Sequence, residues 1–114
     1  MQPKRLIWVG TSRADLGAFP NGARREAGHD LWRVQMGRAP RDWRPMPDVG
    51  PGVVELKVHA GTEHRVLYVA KFDEGVFVLH GFEKRGRKTS HRDLETGRTR
   101  YRTVLAWRRA TGLP

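Results

Sequence analysis

Between Val53 and Phe82 three apolar runs follow one another with almost nothing between them, and this limits the fold more than any other feature of the chain. Val53–Ala60 alternates, with Val54, Leu56 and Val58 on one face and Glu55, Lys57 and His59 on the other, the period of a half-buried strand. Gly61-Thr62 supplies a turn before the second run, His64–Phe72. Asp73-Glu74-Gly75 supplies a tight connection to the third, Val76–Phe82. A parallel neighbour needs a crossover of a dozen or more residues, so connections this short make the three strands antiparallel neighbours.

The flanking segments supply a strand and three helices. Arg5–Val9 reads as a first strand stopped by Gly10. Ser12-Arg-Ala-Asp15 has the spacing of a capping box, and the short helix that it opens ends before Pro20. Pro20 fits the first turn of a second helix, on which Ala23, Ala27, Leu31 and Val34 or Gln35 recur at helical spacing up to a stop at Gly37. Residues 38–52 hold four of the seven prolines and read as a loop pinned to the body by Trp43 and Met46. Ser90-His-Arg-Asp93 repeats the capping-box spacing and opens a C-terminal helix lined by Leu94, Tyr101, Val104 and Leu105, with Gly97 as a weak point inside it. The expected fold is one α+β domain over residues 1–114: a small twisted antiparallel sheet in the order strand, two helices, three strands, helix, with the helices on one face.

Charge narrows the function. The chain carries a formal +10, and Lys84–Arg109 holds ten Lys/Arg against Asp93 and Glu95, a net +8. The third apolar run breaks into Lys84-Arg-Gly-Arg-Lys88, four cations in five residues. Such asymmetry points to a polyanion, either nucleic acid or an acidic protein segment, and the C-terminal pattern lacks the broad apolar face of a membrane-surface helix. With no cysteine there are no disulfides or thiolate metal sites, and His29, His59, His64, His80 and His91 are scattered without metal-ligand spacing, so neither metal nor other cofactor is expected. The apolar stretch after Met1 is too short for a signal peptide or a membrane span, which together with the absent cysteines reads as cytoplasmic.

The order of elements, with Arg-Val-Leu-Tyr at 65–68 and Val-Leu-His-Gly-Phe-Glu-Lys-Arg at 78–85, resembles the RelE/ParE toxin superfamily, in particular its phage-derived HigB-like branch. Ile-Trp-Val-Gly at 7–10, Ser-Arg-Ala-Asp-Leu at 12–16, Phe-Pro at 19–20 and Arg-Arg-Glu-Ala-Gly at 24–28 extend the resemblance over nearly the whole chain through Thr89. It implies a RelE-like fold with a basic concave surface and the activity of a type II toxin. That activity is ribosome-dependent cleavage of mRNA in the ribosomal A site, held in check by a cognate helix-turn-helix antitoxin, which should be acidic where it meets residues 84–109. The ParE branch poisons DNA gyrase without catalysis. A catalytically inactive basic module that binds nucleic acid is a further alternative.

Cleavage of RNA by its own 2′-hydroxyl needs a base for the 2′-proton, cations for the charge building on phosphorus, and an acid for the departing 5′-oxygen. Matched to the family pattern, Arg65 takes the place of the strand arginine, Arg85 that of the basic residue after the last strand, and Lys57 that of one of two strand lysines. Glu55 replaces the other lysine and becomes a candidate base; His91 takes the place of a C-terminal tyrosine and could serve as acid or base. Lys84, Arg87, Lys88 and Arg92 would hold RNA. Each position has a plainer reading. Glu55 and Lys57 could be cross-strand surface residues, Arg65 could pair with Glu63 or Asp73, and His91 could simply fill the first helical turn. His80, inside an apolar strand, fits a hydrogen-bonded core or packing role better than a catalytic one; Tyr101, the tyrosine-based alternative, lies far into the helix, and it and Trp107 fit helix packing better than stacking on RNA; Asp15, Asp30 and Asp48 fit caps or loops.

Overall fold

A computed structural model describes residues 2–114. Five strands form one mixed sheet: β1 (Leu6–Trp8), β2 (Trp43–Pro45), β3 (Val53–Val58), β4 (His64–Val69) and β5 (Val76–Glu83), in the order β1-β5-β4-β3-β2. The meander β3-β4-β5 is antiparallel as its short turns demand. The first strand, in contrast, pairs parallel with β5, Leu6 opposite Val76 and Trp8 opposite Val78, so the sheet is not purely antiparallel. A second departure lies in the proline-rich 38–52 segment, where Trp43–Pro45 pairs with β3 as an edge strand. Proline is tolerated there because an edge strand has one side without ladder partners. Met46 is buried as expected, but Trp43 is 45% exposed.

The helices α1 (Ser12–Gly17), α2 (Asn21–Gln35) and α3 (His91–Ala110) do not share a face. Ala23, Ala27, Leu31 and Val34 of α2 pack with Leu16 and Phe19 on Leu56, Val58, Val66, Tyr68, Val76 and Val78. Tyr101 and Val104 of α3 pack with Val53, Leu67, Val69, Phe77 and Leu79, which are the alternate residues of the same strands. The sheet is therefore covered on both sides, and α3 corrects the expectation of helices on one face. The strands β4 and β5 are apolar on both faces, the pattern of a buried sheet, and this is why both sides need covering.

Local signals fix the helix ends unevenly. Ser90 caps α3 as its sequence suggests, its Oγ accepting from the Asp93 amide at 3.1 Å. Ser12 does not cap α1; it is already helical, is fully buried, and accepts from the Val9 amide at 3.1 Å. Asp30 is no cap either: it is buried and holds Arg41 through two side-chain bonds at 2.9 and 3.2 Å, fastening the segment that leads into β2. Among the described residues no helix is long and apolar enough to cross a membrane.

Candidate nucleic-acid interface

The face that α3 covers is only partly occupied. Toward the β3-β4 turn it carries Glu55 opposite Leu67, Lys57 opposite Arg65, and Arg65 opposite Phe82. Glu55 has no exposed surface. A buried carboxylate is tolerated only when its charge and lone pairs are answered. Arg44, its cross-strand neighbour on β2, donates from Nε to Oε1 at 2.9 Å; Thr89 Oγ1 donates to Oε2 at 2.7 Å; Arg65 Nε stands 3.7 Å from Oε1. Arg65 is itself 5% exposed, donates from Nη1 to the His64 carbonyl at 2.9 Å and pairs with Glu63 at 3.0 Å. Among the described residues its Nε is the buried side-chain donor left without a hydrogen-bond partner. Glu63 continues the chain of charges to His59, which also binds Asp42 at 2.6 Å. Burial, then the Arg65 charge nearby, pulls Lys84 below the usual lysine range.

Beside this cluster lies a cleft of about 610 Å³ between α1, the end of β5, the 84–88 loop and the start of α3. Lys84, Arg85, Lys88 and Arg92 line it, over a floor that includes His80, Phe82, Asp15, Asp93 and Arg100. His80 reaches this floor because β5 carries a bulge. Leu67 pairs with His80 but Tyr68 with Val78, so Leu79 is an extra residue and Leu79 and His80 both turn toward α3. His80 Nε2 is hydrogen-bonded to Asp93 Oδ1 at 2.7 Å, and its ring stacks on Phe82 at 4.9 Å between centroids. Arg100 donates to Asp15 at 3.2 Å, to the Leu79 carbonyl at 2.8 Å and to Thr11 at 2.8 Å, joining α3 to α1 across β5.

The predicted residues thus divide. Glu55, Lys57 and Arg65 belong to the sheet-face cluster; Lys84, Arg85, Lys88 and Arg92 gather at the cleft, with Lys84 next to both. Arg85 is almost fully exposed and bonded to Glu83 at 2.7 Å. Arg87 and His91 are exposed and lie outside the cleft lining. Glu55 is not the solvent-facing strand residue that alternation suggests, because β2, Arg65 and Thr89 close over it. Of the plainer alternatives, the Arg65–Glu63 pair is present, and Tyr101 is a packing residue whose hydroxyl donates to the Pro51 carbonyl at 2.8 Å. Sequence reasoning passed over Arg44, Thr89, Asp93 and Arg100. His80, expected as a hydrogen-bonded core or packing residue, is hydrogen-bonded to Asp93 and stacked on Phe82. The one signal for that bond was the Ser90–Asp93 box, which fixes where Asp93 must stand.

A small mixed sheet covered by two helices on one side and partly by a third on the other, with cations massed at its open end, defines a basic α+β domain of the kind seen in RelE-like folds. Residues 14–102 match the family described as phage derived protein Gp49-like, and the chain belongs to that family, which is associated with RelE-like toxins of toxin–antitoxin systems. No curated protein matches the chain.

Proposed function

We propose that this protein is a toxin of the HigB-like branch of type II toxin–antitoxin systems and a ribosome-dependent, metal-independent endoribonuclease that cuts mRNA in the ribosomal A site. The observation that carries the reading is the buried Arg65, held beside Glu55 and set with Lys57 and Lys84 at the open end of a sheet. An arginine held at low dielectric acts on a nearby oxyanion, such as the scissile phosphate, through its little-screened charge. Lys57 and Lys84 add charge to the same point, and Arg85, Lys88 and Arg92 extend it along the cleft as a path for the RNA backbone. Arg87 and His91, on the rim, lengthen that path.

Glu55 takes a different part from that of a base. With no exposed surface and with bonds from Arg44 and Thr89, its carboxylate holds the cations in place and fastens the basic loop to the sheet. That same observation favours a second reading, in which the surface binds RNA without cutting it. Growth arrest with mRNA cut inside reading frames on induction, lost in Arg65→Ala and Arg85→Ala, supports the nuclease; arrest with intact mRNA refutes it. The partner that restrains the activity is a helix-turn-helix antitoxin whose contact with residues 84–109 is acidic.

A further inference from the structure

With Glu55 committed to its arginines, the cleavage reaction lacks a base, and the cleft floor supplies one. We propose that His80, oriented by Asp93, is the catalytic base that takes the proton of the ribose 2′-hydroxyl. This rests on the endoribonuclease reading given above.

The geometry has three parts. First, the Leu79 bulge turns the ring out of the apolar alternation of β5 and into the cleft, where 12% of the side chain stays exposed. Second, Asp93 accepts from one ring nitrogen at 2.7 Å, while Arg100 Nη1 approaches the other at 3.5 Å. The Asp93 carboxylate can only accept, so a proton resides on Nε2. In the neutral ring this leaves the lone pair on Nδ1, the arrangement of a histidine base steadied by a carboxylate. Third, Asp93 is fixed in turn: Ser90 Oγ donates to its Oδ2 at 2.6 Å, and its own amide donates to that same Oγ at 3.1 Å. Asp93 is a positioning residue. The Asp15 carboxylate, 3.7 Å from Nδ1 and paired with Arg100, completes the surroundings.

In the proposed step Nδ1 takes the 2′-proton, the 2′-oxygen bonds to phosphorus, and the P–O5′ bond breaks. The departing 5′-oxygen takes a proton from water, and the hydroxide so formed recovers the proton held by the imidazolium. The products are a 2′,3′-cyclic phosphate and a 5′-hydroxyl. Lys84, Arg85 and Arg92, lining the same cleft, face the phosphate while this happens.

The test is single-turnover cleavage of 5′-labelled mRNA on programmed ribosomes, with RNA affinity and melting temperature measured on the same preparations. His80→Gln should slow cleavage by about 10²–10⁴-fold, the range of general acid–base catalysis, while the dissociation constant moves less than about twofold. Added imidazole should return part of the lost rate to His80→Ala, which a packing role would not allow. Asp93→Asn keeps the amide that Ser90 caps but gives up one acceptor and the charge, so it should slow cleavage at temperatures where it remains fully folded; this variant decides the matter where His80 substitutions do not fold. Cleavage at the wild-type rate in His80→Gln, or a loss that only follows weaker binding or unfolding, overturns the assignment of His80 alone. Intact mRNA with the wild-type protein overturns the endoribonuclease reading and this assignment with it.

Discussion

Gly97 of α3 lies so close over Leu67 of β4 that a Cβ on the glycine would stand 2.7 Å from the leucine Cδ1 and 3.1 Å from Val49 Cγ1. A helix can approach the sheet this closely only where a side chain is missing. The position that looks like a flaw in the helix by propensity is thus the point at which α3 docks. Gly97→Ala should gain roughly 1 kcal/mol of helix propensity and lose about 1–3 kcal/mol to overpacking against a fully buried leucine. The expected outcome is a net fall in the denaturant midpoint, read by chemical unfolding.

Glu55 is the counter-charge of a buried cation cluster. Its removal leaves Arg65, 5% exposed, with less of its compensation and frees Thr89 from the sheet. Glu55→Ala should therefore cost about 3–5 kcal/mol, the range for breaking a buried ion pair. Glu55→Gln, which keeps the acceptor for Arg44, should cost less. Urea unfolding of the two variants measures the difference, and a Glu55→Ala protein as stable as wild type would remove the carboxylate from this role.

The Asp42–His59–Glu63 clamp gives stability a dependence on pH. Its bond to Asp42, then that to Glu63, holds His59 above the ordinary imidazole range, and His59 in turn holds both carboxyls below theirs. A raised imidazole contributes stability that is complete below its unfolded value of about 6.5 and is lost as pH rises through the higher folded value. The depressed carboxyls contribute stability that is present above about 4 and is lost as pH falls through their lower folded values. The clamp therefore works between these limits. All three side chains are about half exposed, so each pair is worth only roughly 0.2–1 kcal/mol. Melting temperatures of wild type and His59→Gln across pH 5–9 should converge on the alkaline side.

Affinity for RNA should fall steeply with salt, since each phosphate neutralised releases counterions. Lys88→Ala and Arg92→Ala each remove one cation from the cleft wall, and each should lower the slope of log K against log salt by about 0.7–0.9. Binding titrations with single-stranded RNA over a range of salt concentrations measure this slope.

Much of this fold was legible because its signals are local. The alternation of Val53–Val58, the short turns on either side of His64–Val69 and the Ser90 cap each act within a few residues. What escaped depends on distant neighbours. No alternation in Leu6–Trp8 says that its partner is parallel, and no propensity in Trp43–Pro45 says that β3 will take it as an edge. The site shows the same division. The cations of the 84–88 loop are plain in the sequence, but the burial of Glu55 and the turning of His80 follow from β2 and from the Leu79 bulge, and a single extra residue is invisible to a period-2 count.

The most direct test of the central claim is to induce the protein in bacterial cells and map mRNA ends across reading frames, beside Arg65→Ala expressed at the same level. The account predicts rapid translational arrest with new 5′-hydroxyl ends inside coding sequences, both absent in the variant. Arrest with intact mRNA, or cutting undiminished in Arg65→Ala, would contradict it.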